Sequence, residues 1–184
     1  MNHAELVERA ERWLRKSHWC SVVLTELTAF TTTGEQPDAL GFISGGVSIL
    51  VECKTSRSDF LADAHKAFRI CPASGMGDYR FFLCEPDVLI AADMPEGWGL
   101  LYARKKTITL EYGSIPKTYN SPPFQGHKKN ELVMCVSALR RVGREAVESA
   151  CHPKKSANGP EQYPTEQQGT EQRPNNGEQR KATT

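Results

Sequence analysis

Two acidic residues and one lysine are spaced so that they could bind a metal ion and activate water. Asp38 follows a proline, and thirteen residues separate it from Glu52-Cys53-Lys54. Because the side chains of a β-strand alternate between its two faces, Glu52 and Lys54 project from the same face of an extended segment. Mg²⁺ prefers carboxylate oxygens, which it combines with water and substrate phosphate. The pattern therefore predicts a Mg²⁺ site at Asp38 and Glu52, with Lys54 placed to orient or deprotonate the attacking water.

A β-hairpin has to bring Asp38 to the other two residues. The apolar segments 39–43 and 47–54 flank Ser44-Gly45-Gly46, and paired glycines supply the positive φ angles of a tight reversal. A turn of two or four residues would pair Asp38 with Cys53 and direct it to the wrong face. A three-residue turn, or a compensating bulge, pairs Asp38 with Glu52 instead. We predict this second arrangement.

The remaining periodicity predicts helices and strands in an α/β order. Ser56 or Ser58 caps the helix after the hairpin, whose apolar positions run from Phe60 to Phe68 and whose outward positions carry Asp63, Lys66 and Arg69. The other predicted elements are a first helix over 4–16, a strand ending near 26 or 27, strands over 79–83, 98–103 and 107–112, and a closing helix over 130–144 with Leu132, Val136 and Leu139 on one side. We expect a central mixed β-sheet flanked by helices.

Pro37-Asp38 followed by Glu52-Cys53-Lys54, in this element order, resembles the signature of the PD-(D/E)xK superfamily of restriction-endonuclease-like nucleases. The resemblance covers about residues 5–103 and implies an αβββαβ core. It further implies that Asp38 and Glu52 bind Mg²⁺, with Mn²⁺ as a substitute ion, and that Lys54 assists the attacking water. The alternative is a solvated strand face on which acidic and basic residues alternate.

Members of that superfamily often add an acidic residue from the first helix or the first strand. Glu26 is the first choice here because it closes the first predicted strand, and Glu5 and Glu8 are weaker candidates. The surroundings, Val51 to Phe60 and Gly75 to Arg80, resemble uncharacterised nuclease-like proteins of phages and bacteria. That narrower likeness implies no substrate.

Lys66 and Arg69 could hold a phosphate of the scissile strand, because they leave the polar side of the helix next to the predicted site. An ordinary solvated helix face explains the same two residues equally well. The predicted function is hydrolysis of DNA phosphodiester bonds, with DNA favoured over RNA. The alternative is a nuclease fold without turnover that binds nucleic acid or another protein. A homodimer would suit cuts in both strands of a duplex, although no segment specifies a symmetric interface.

Composition limits the other classes of protein. The chain has 184 residues and a formal net charge of +1, so it lacks the strongly basic field of nucleic-acid packaging proteins. Its six scattered cysteines indicate small buried side chains rather than a zinc site or a disulfide framework. With no signal-peptide stretch and no long apolar run, we expect a cytoplasmic protein that does not enter a membrane. We predict one domain over 1–149 and a disordered polar tail over 150–184, where Glu-Gln recurs.

Overall fold

A computed structural model describes residues 1–18, 20–115 and 119–151 of the chain. It is an α/β structure whose centre is a six-stranded sheet with the order β1-β2-β3-β4-β5-β6. The elements in chain order are α1 (His3–Ser17), β1 (Val22–Thr25), β2 (Ala39–Phe42), β3 (Ser48–Lys54), α2 (Arg57–Asp63), α3 (Ala67–Ile70), β4 (Tyr79–Cys84), β5 (Trp98–Ala103), β6 (Ile108–Tyr112), α4 (Lys128–Val142) and α5 (Arg144–Cys151), with short 3-10 turns at Pro72–Ser74 and Ala91–Asp93.

The sheet is mixed, as the sequence predicts. Strands β1, β2 and β3 pair antiparallel, β3, β4 and β5 pair parallel, and β6 returns antiparallel to β5. Both faces of β3, β4 and β5 are buried. Helix α1 packs on one face, while Phe60 of α2 and Met134 of α4 belong to the core on the other.

Helix α1 begins one residue earlier than predicted because Asn2 caps it. The Asn2 side chain accepts a hydrogen bond from the Glu5 backbone N–H, and the Glu5 side chain accepts one from the Asn2 backbone N–H. On the inner side, Leu6, Ala10 and Leu14 are fully buried against the sheet. This packing places His3, at the amino end of α1, next to Asp38, which directly precedes β2.

The hairpin turn has the predicted length of three residues. The Ile43 N–H donates to the Val47 carbonyl at 2.9 Å, which leaves Ser44, Gly45 and Gly46 as the turn. Gly45 and Gly46 have φ angles of +93° and +82°, in the region that only glycine adopts without strain.

The register of the hairpin follows from that turn and confirms the predicted pairing. Ala39 lies opposite Val51. One residue further from the turn, just before β2 begins, Asp38 continues this register opposite Glu52.

The predicted single helix after β3 is wrong, because the chain breaks into α2 and α3. Ser56 caps α2 as expected, but Lys66 has extended backbone angles, φ −68° and ψ 140°, and interrupts the helix. Two residues that were predicted to face outward lie in the interior instead, Asp63 on the inner side of α2 and Arg69 after the break. Asp63 is only 1% exposed, and the Arg69 side chain is only 7% exposed.

The predicted closing helix is found as α4, but its apolar side is not packed. Leu132, Val136 and Leu139 are exposed, whereas Met134 is buried. The apolar side of a helix normally faces the core. For α4 the sequence pattern therefore predicted the wrong side as the buried one.

All six cysteines are free, but the prediction that they are buried holds for only three of them. Cys20, Cys53 and Cys84 are buried, Cys135 is half-buried, and Cys71 and Cys151 are exposed. Trp13 and Trp98 are core residues. Trp19 and residues 152–184 lie outside the described residues, whereas residues 150 and 151, where the polar tail was predicted to begin, form the end of α5. In the described part of the chain, no helix combines the length and the apolar character needed to cross a bilayer.

His18 is expected to make the fold sensitive to acid. Its ring centroid is 4.0 Å from that of Trp13, and its Nδ1 lies 2.7 Å from the Tyr119 hydroxyl. Burial lowers the pKa of His18 from 6.5 to about 4. The unfolded chain therefore takes up a proton at a pH where the folded chain does not, and stability is lost as the pH falls from about 6.5 toward 4.

The measurement is the free energy of unfolding by urea at pH 7 and at pH 5. We expect the wild type to lose about 1–2 kcal/mol more over this interval than His18→Gln, which cannot titrate. An equal loss in both proteins would show that another group carries the acid sensitivity.

Candidate functional site

Glu52 and Lys54 lie at the carboxyl end of β3 and are enclosed by protein. They are 3% and 4% exposed, and the Lys54 Nζ is 3.9 Å from the Glu52 Oε2. Alternating charges on a solvated strand would be exposed, so burial argues against that alternative. Enclosed charges need partners or a ligand.

Asp38 is held in place by the neighbouring backbone. Its Oδ2 accepts a hydrogen bond from the Cys53 N–H at 2.7 Å, and its carbonyl accepts one from the Glu26 N–H at 3.1 Å. Its Oδ1 lies 3.4 Å from the His3 Nε2. Burial raises the pKa of Asp38, and the hydrogen bond from Cys53 opposes that effect.

Glu26 is the early acidic residue that lies beside Asp38. His3 joins the two, since its Nε2 is 3.6 Å from the Glu26 Oε1 as well as 3.4 Å from Asp38. Glu26 has a φ of +46°, a left-handed conformation that costs free energy in a residue with a side chain. The weaker candidates have other partners: Glu5 belongs to the cap of α1, and Glu8 pairs with an arginine one turn later.

Arg69 is the centre of a buried ion-pair network. Its guanidinium contacts three carboxylates, Glu35 at 2.8 Å, Glu52 at 2.9 Å and Asp63 at 2.7 Å. Burial alone would lower the pKa of Arg69, but these carboxylates raise it above its usual value, so the group stays charged. With its donors directed at carboxylates, Arg69 could contact a phosphate only if some of these pairs broke.

Lys66, the other residue predicted to contact phosphate, does reach solvent. Its side chain is 52% exposed, and its Nζ lies 2.6 Å from the Asp63 Oδ1. Lys54 approaches the same oxygen at 3.6 Å. Burial acts to raise the pKa of Asp63, but Arg69, Lys66 and Lys54 together hold it below its usual value.

Glu52 is the least stabilised carboxylate of the network. Burial raises the pKa of Glu52 to about 8, and Asp38 and Asp63 add to the rise, whereas Arg69 opposes it. The main cause of the rise is therefore the loss of water around Glu52, since three cations already face the three carboxylates that contact Arg69. A further cation would stabilise the ionised form of Glu52.

Carboxylate oxygens without hydrogen bonds are chemically suited to bind such a cation. Asp38 Oδ1 and both oxygens of Glu52 accept no hydrogen bond from the residues described, although Glu52 Oε1 lies 2.9 Å from the Arg69 guanidinium. Mg²⁺ is commonly held by one or two carboxylates plus water and phosphate, so this pair fits it. Across residues 1–18, 20–115 and 119–151, no group of three or more His, Cys, Asp or Glu side chains is arranged to hold a metal ion.

A second buried polar cluster lies at the opposite end of β3 and differs in kind. Asp78 accepts hydrogen bonds from the Ser48 and Gly126 N–H groups at 2.9 Å, and Lys128 pairs with both Asp78 and Glu131. These hydrogen bonds tie the start of α4 to the sheet. Because the carboxylates of this cluster already accept hydrogen bonds or form ion pairs, we assign the cluster a structural role.

Comparisons with known proteins support the fold and leave the chemistry open. A solved structure of a protein of unknown function from Silicibacter pomeroyi is similar, with a TM-score of 0.54 and 23% sequence identity, over 84% of this chain and 97% of that one. No protein-family model matches the chain, and no match was found among curated proteins.

Proposed function

We propose that this chain is a Mg²⁺-dependent nuclease that hydrolyses DNA phosphodiester bonds, with a restriction-endonuclease-like core. The observation that supports it best is the register of the β2–β3 hairpin, which sets Asp38 opposite Glu52. Lys54 completes the group, 3.9 Å from Glu52 on the same face. The order of α1, three antiparallel strands, a helical segment and a parallel strand also matches the core that the sequence resemblance implies.

The proposed mechanism assigns a separate task to each residue. When bound by Asp38 and Glu52, Mg²⁺ would polarise the scissile phosphate and lower the pKa of water. The ammonium of Lys54 would orient the attacking water and stabilise the charge that develops on the phosphate oxygens. Glu26 would contribute through the same edge of the site, where His3 connects it to Asp38.

Lys66, whose side chain is half exposed next to Asp63, would contact a phosphate away from the scissile bond. Arg69 serves a different purpose in this proposal. Because it holds Oε1 of Glu52 at 2.9 Å, it positions that carboxylate so that Oε2 is directed toward Lys54 and the ion.

A second candidate function is a nuclease fold that binds nucleic acid or protein without turnover. The observation that favours it is the Arg69 guanidinium, which already contacts both Glu52 and Asp63. This candidate predicts DNA binding that survives Asp38→Ala and needs no divalent ion, together with no cleavage of any substrate.

The deciding experiment is an endpoint and rate assay on single-stranded, duplex and branched DNA labelled at either end. We expect cleavage with Mg²⁺ or Mn²⁺ and none with EDTA, and we expect Glu52→Gln to abolish it. Intact substrates in every lane, with DNA binding retained, would favour the second candidate.

The affinity for Mg²⁺ should rise with pH. Since the pKa of Glu52 is raised to about 8, the carboxyl is mostly protonated at pH 6, and the ion has to displace that proton. Below pH 8 the affinity should therefore increase up to about tenfold per pH unit and then level off. Calorimetry in two buffers of different ionisation enthalpy should show a proton released for each ion bound.

Glu8→Gln is the matched control, because Glu8 is an exposed acid paired on α1 and is one of the weaker metal-binding candidates. It should bind Mg²⁺ like the wild type, whereas Asp38→Asn and Glu52→Gln should not bind it. An affinity that is flat between pH 6 and pH 8 would contradict the role given to Glu52.

A further inference from the structure

A groove of about 260 Å³ runs between α1 and the turn that joins β5 to β6. Four of the side chains that line it are basic, namely Arg9, Arg12, Lys16 and Lys106. Among the described residues that form its wall, none is acidic. For a chain whose formal net charge is +1, this is a local concentration of positive charge.

Hydrogen bonds hold the two sides of the groove together. The Arg9 guanidinium donates to the Thr107 carbonyl at 2.7 Å and also to the Arg104 carbonyl. The turn itself is closed by the Arg104 N–H, which donates to the Thr107 carbonyl at 2.8 Å. The groove is therefore a fixed feature of the fold.

Several of the cations in and beside the groove are available to a ligand. Lys16, Lys105 and Lys106 are exposed. None of the three forms an ion pair with any residue that the structure describes. Arg12 and Arg104, in contrast, pair with Glu8 and Glu111.

The basic residues of α1 lie in a row that points away from the candidate site. Arg9, Arg12 and Lys16 follow one another at helical spacing, and His3, which contacts Asp38, begins the same helix. At ~1.5 Å per residue, Arg9 lies ~9 Å along the helix from His3, and the row itself spans ~10 Å. That length corresponds to about three phosphates of one strand.

We propose that this groove binds the phosphate backbone of the nucleic acid whose scissile bond lies at the candidate site. The inference rests on the proposed function, which supplies the polyanion. Lysine and arginine side chains recognise phosphates through charge without reading sequence. A nucleic-acid strand leaving the site would lie along α1 and cross the β5–β6 turn.

The test measures binding without turnover. Fluorescence anisotropy in EDTA would follow a labelled 20-nucleotide single strand and its duplex with the wild type and with Lys16→Ala/Lys106→Ala. We expect the double variant to bind at least roughly tenfold more weakly at low salt, for all sequences alike. The slope of log affinity against log salt should fall by about 0.7–0.9 for each lysine lost.

Lys129→Ala/Arg140→Ala is the matched control, because both residues are exposed on α4 and the change in charge is the same. It should bind like the wild type. Unchanged binding by the groove variant, or an equal loss in the control, would overturn the proposal. So would groove-dependent binding to anionic phospholipid vesicles that exceeds binding to DNA.

The two proposals can fail separately. If the groove variant binds DNA more weakly while the wild type never cleaves it, the nuclease assignment fails and the groove remains. If the wild type cleaves DNA and the groove variant binds it normally, only the groove assignment fails.

Discussion

Lys54→Ala should reduce Mg²⁺-dependent DNA cleavage by about 10²- to 10⁴-fold, the range typical for loss of a group that takes part in proton transfer or charge stabilisation. The lysine is 4% exposed and lies between Glu52 and Asp63, so no solvent cation replaces it in the same geometry. Binding of Mg²⁺ should persist, since Glu52 and Asp38 keep their oxygens. Initial rates of cleavage and calorimetric titration of Mg²⁺ on the same preparations check both statements.

Lys54→Arg separates two roles for Lys54, in which the ammonium orients the attacking water or the neutral amine deprotonates it. Arginine keeps the positive charge but does not give up a proton under these conditions, so it could orient water without deprotonating it. Lys129→Ala, a change at an exposed lysine on α4, is the control and should cleave like the wild type. Equal cleavage by Lys54→Ala and the wild type would remove Lys54 from the mechanism.

Arg69→Met should destabilise the fold by about 3–5 kcal/mol, the usual loss when one partner of a buried ion pair is removed. The substitution leaves Glu35, Glu52 and Asp63 without the guanidinium that contacts all three. Urea unfolding at pH 7 measures the loss. Arg69→Lys should recover only part of it, because a single ammonium cannot reproduce the planar set of donors.

Two further variants make the Arg69 result specific. Arg57→Met removes an arginine that pairs with Asp93 but is 54% exposed, and it should have a much smaller effect. Adding Glu35→Gln to Arg69→Met should restore some stability by removing one unpaired charge. A loss at Arg69 no larger than that at Arg57 would mean that the network does not stabilise the fold.

The hairpin and its acidic pair could be predicted because local chemistry fixes them. Gly45 and Gly46 supply the positive φ angles of the turn, and the two-residue period of the strands then decides which face Glu52 occupies. The turn length sets the register, and the register pairs Asp38 with Glu52. Each step depends only on residues close together in the sequence.

Other members of the site carry no local pattern. Glu35 lies in a loop and is fully buried, and nothing in its neighbours distinguishes it from an exposed loop acid. His3 is the first residue of α1, and its contact with Asp38 depends on how that helix packs against the sheet. Sequence analysis named neither residue as part of the site.

Arg69 and Asp63 were misplaced for a different reason. The predicted helix would direct both outward, but Asp63 lies on the same side of α2 as the buried Phe60, and the extended backbone at Lys66 redirects Arg69. The break is stabilised by the ion pairs that it creates, which join residues from several elements. A tertiary interaction of this kind overrides a local preference for helix.

Every charged member of the network precedes Tyr79 in the chain, so all of them have been synthesised before β4 begins. On the ribosome, the acids and their cationic partners would meet while still hydrated. Trp98 of β5, which lies 4.9 Å from the Arg69 guanidinium, arrives only afterwards to cover them. The charged side chains would thus lose their water late in folding, after they have formed ion pairs. No unpaired charge would then be buried in a partly formed core.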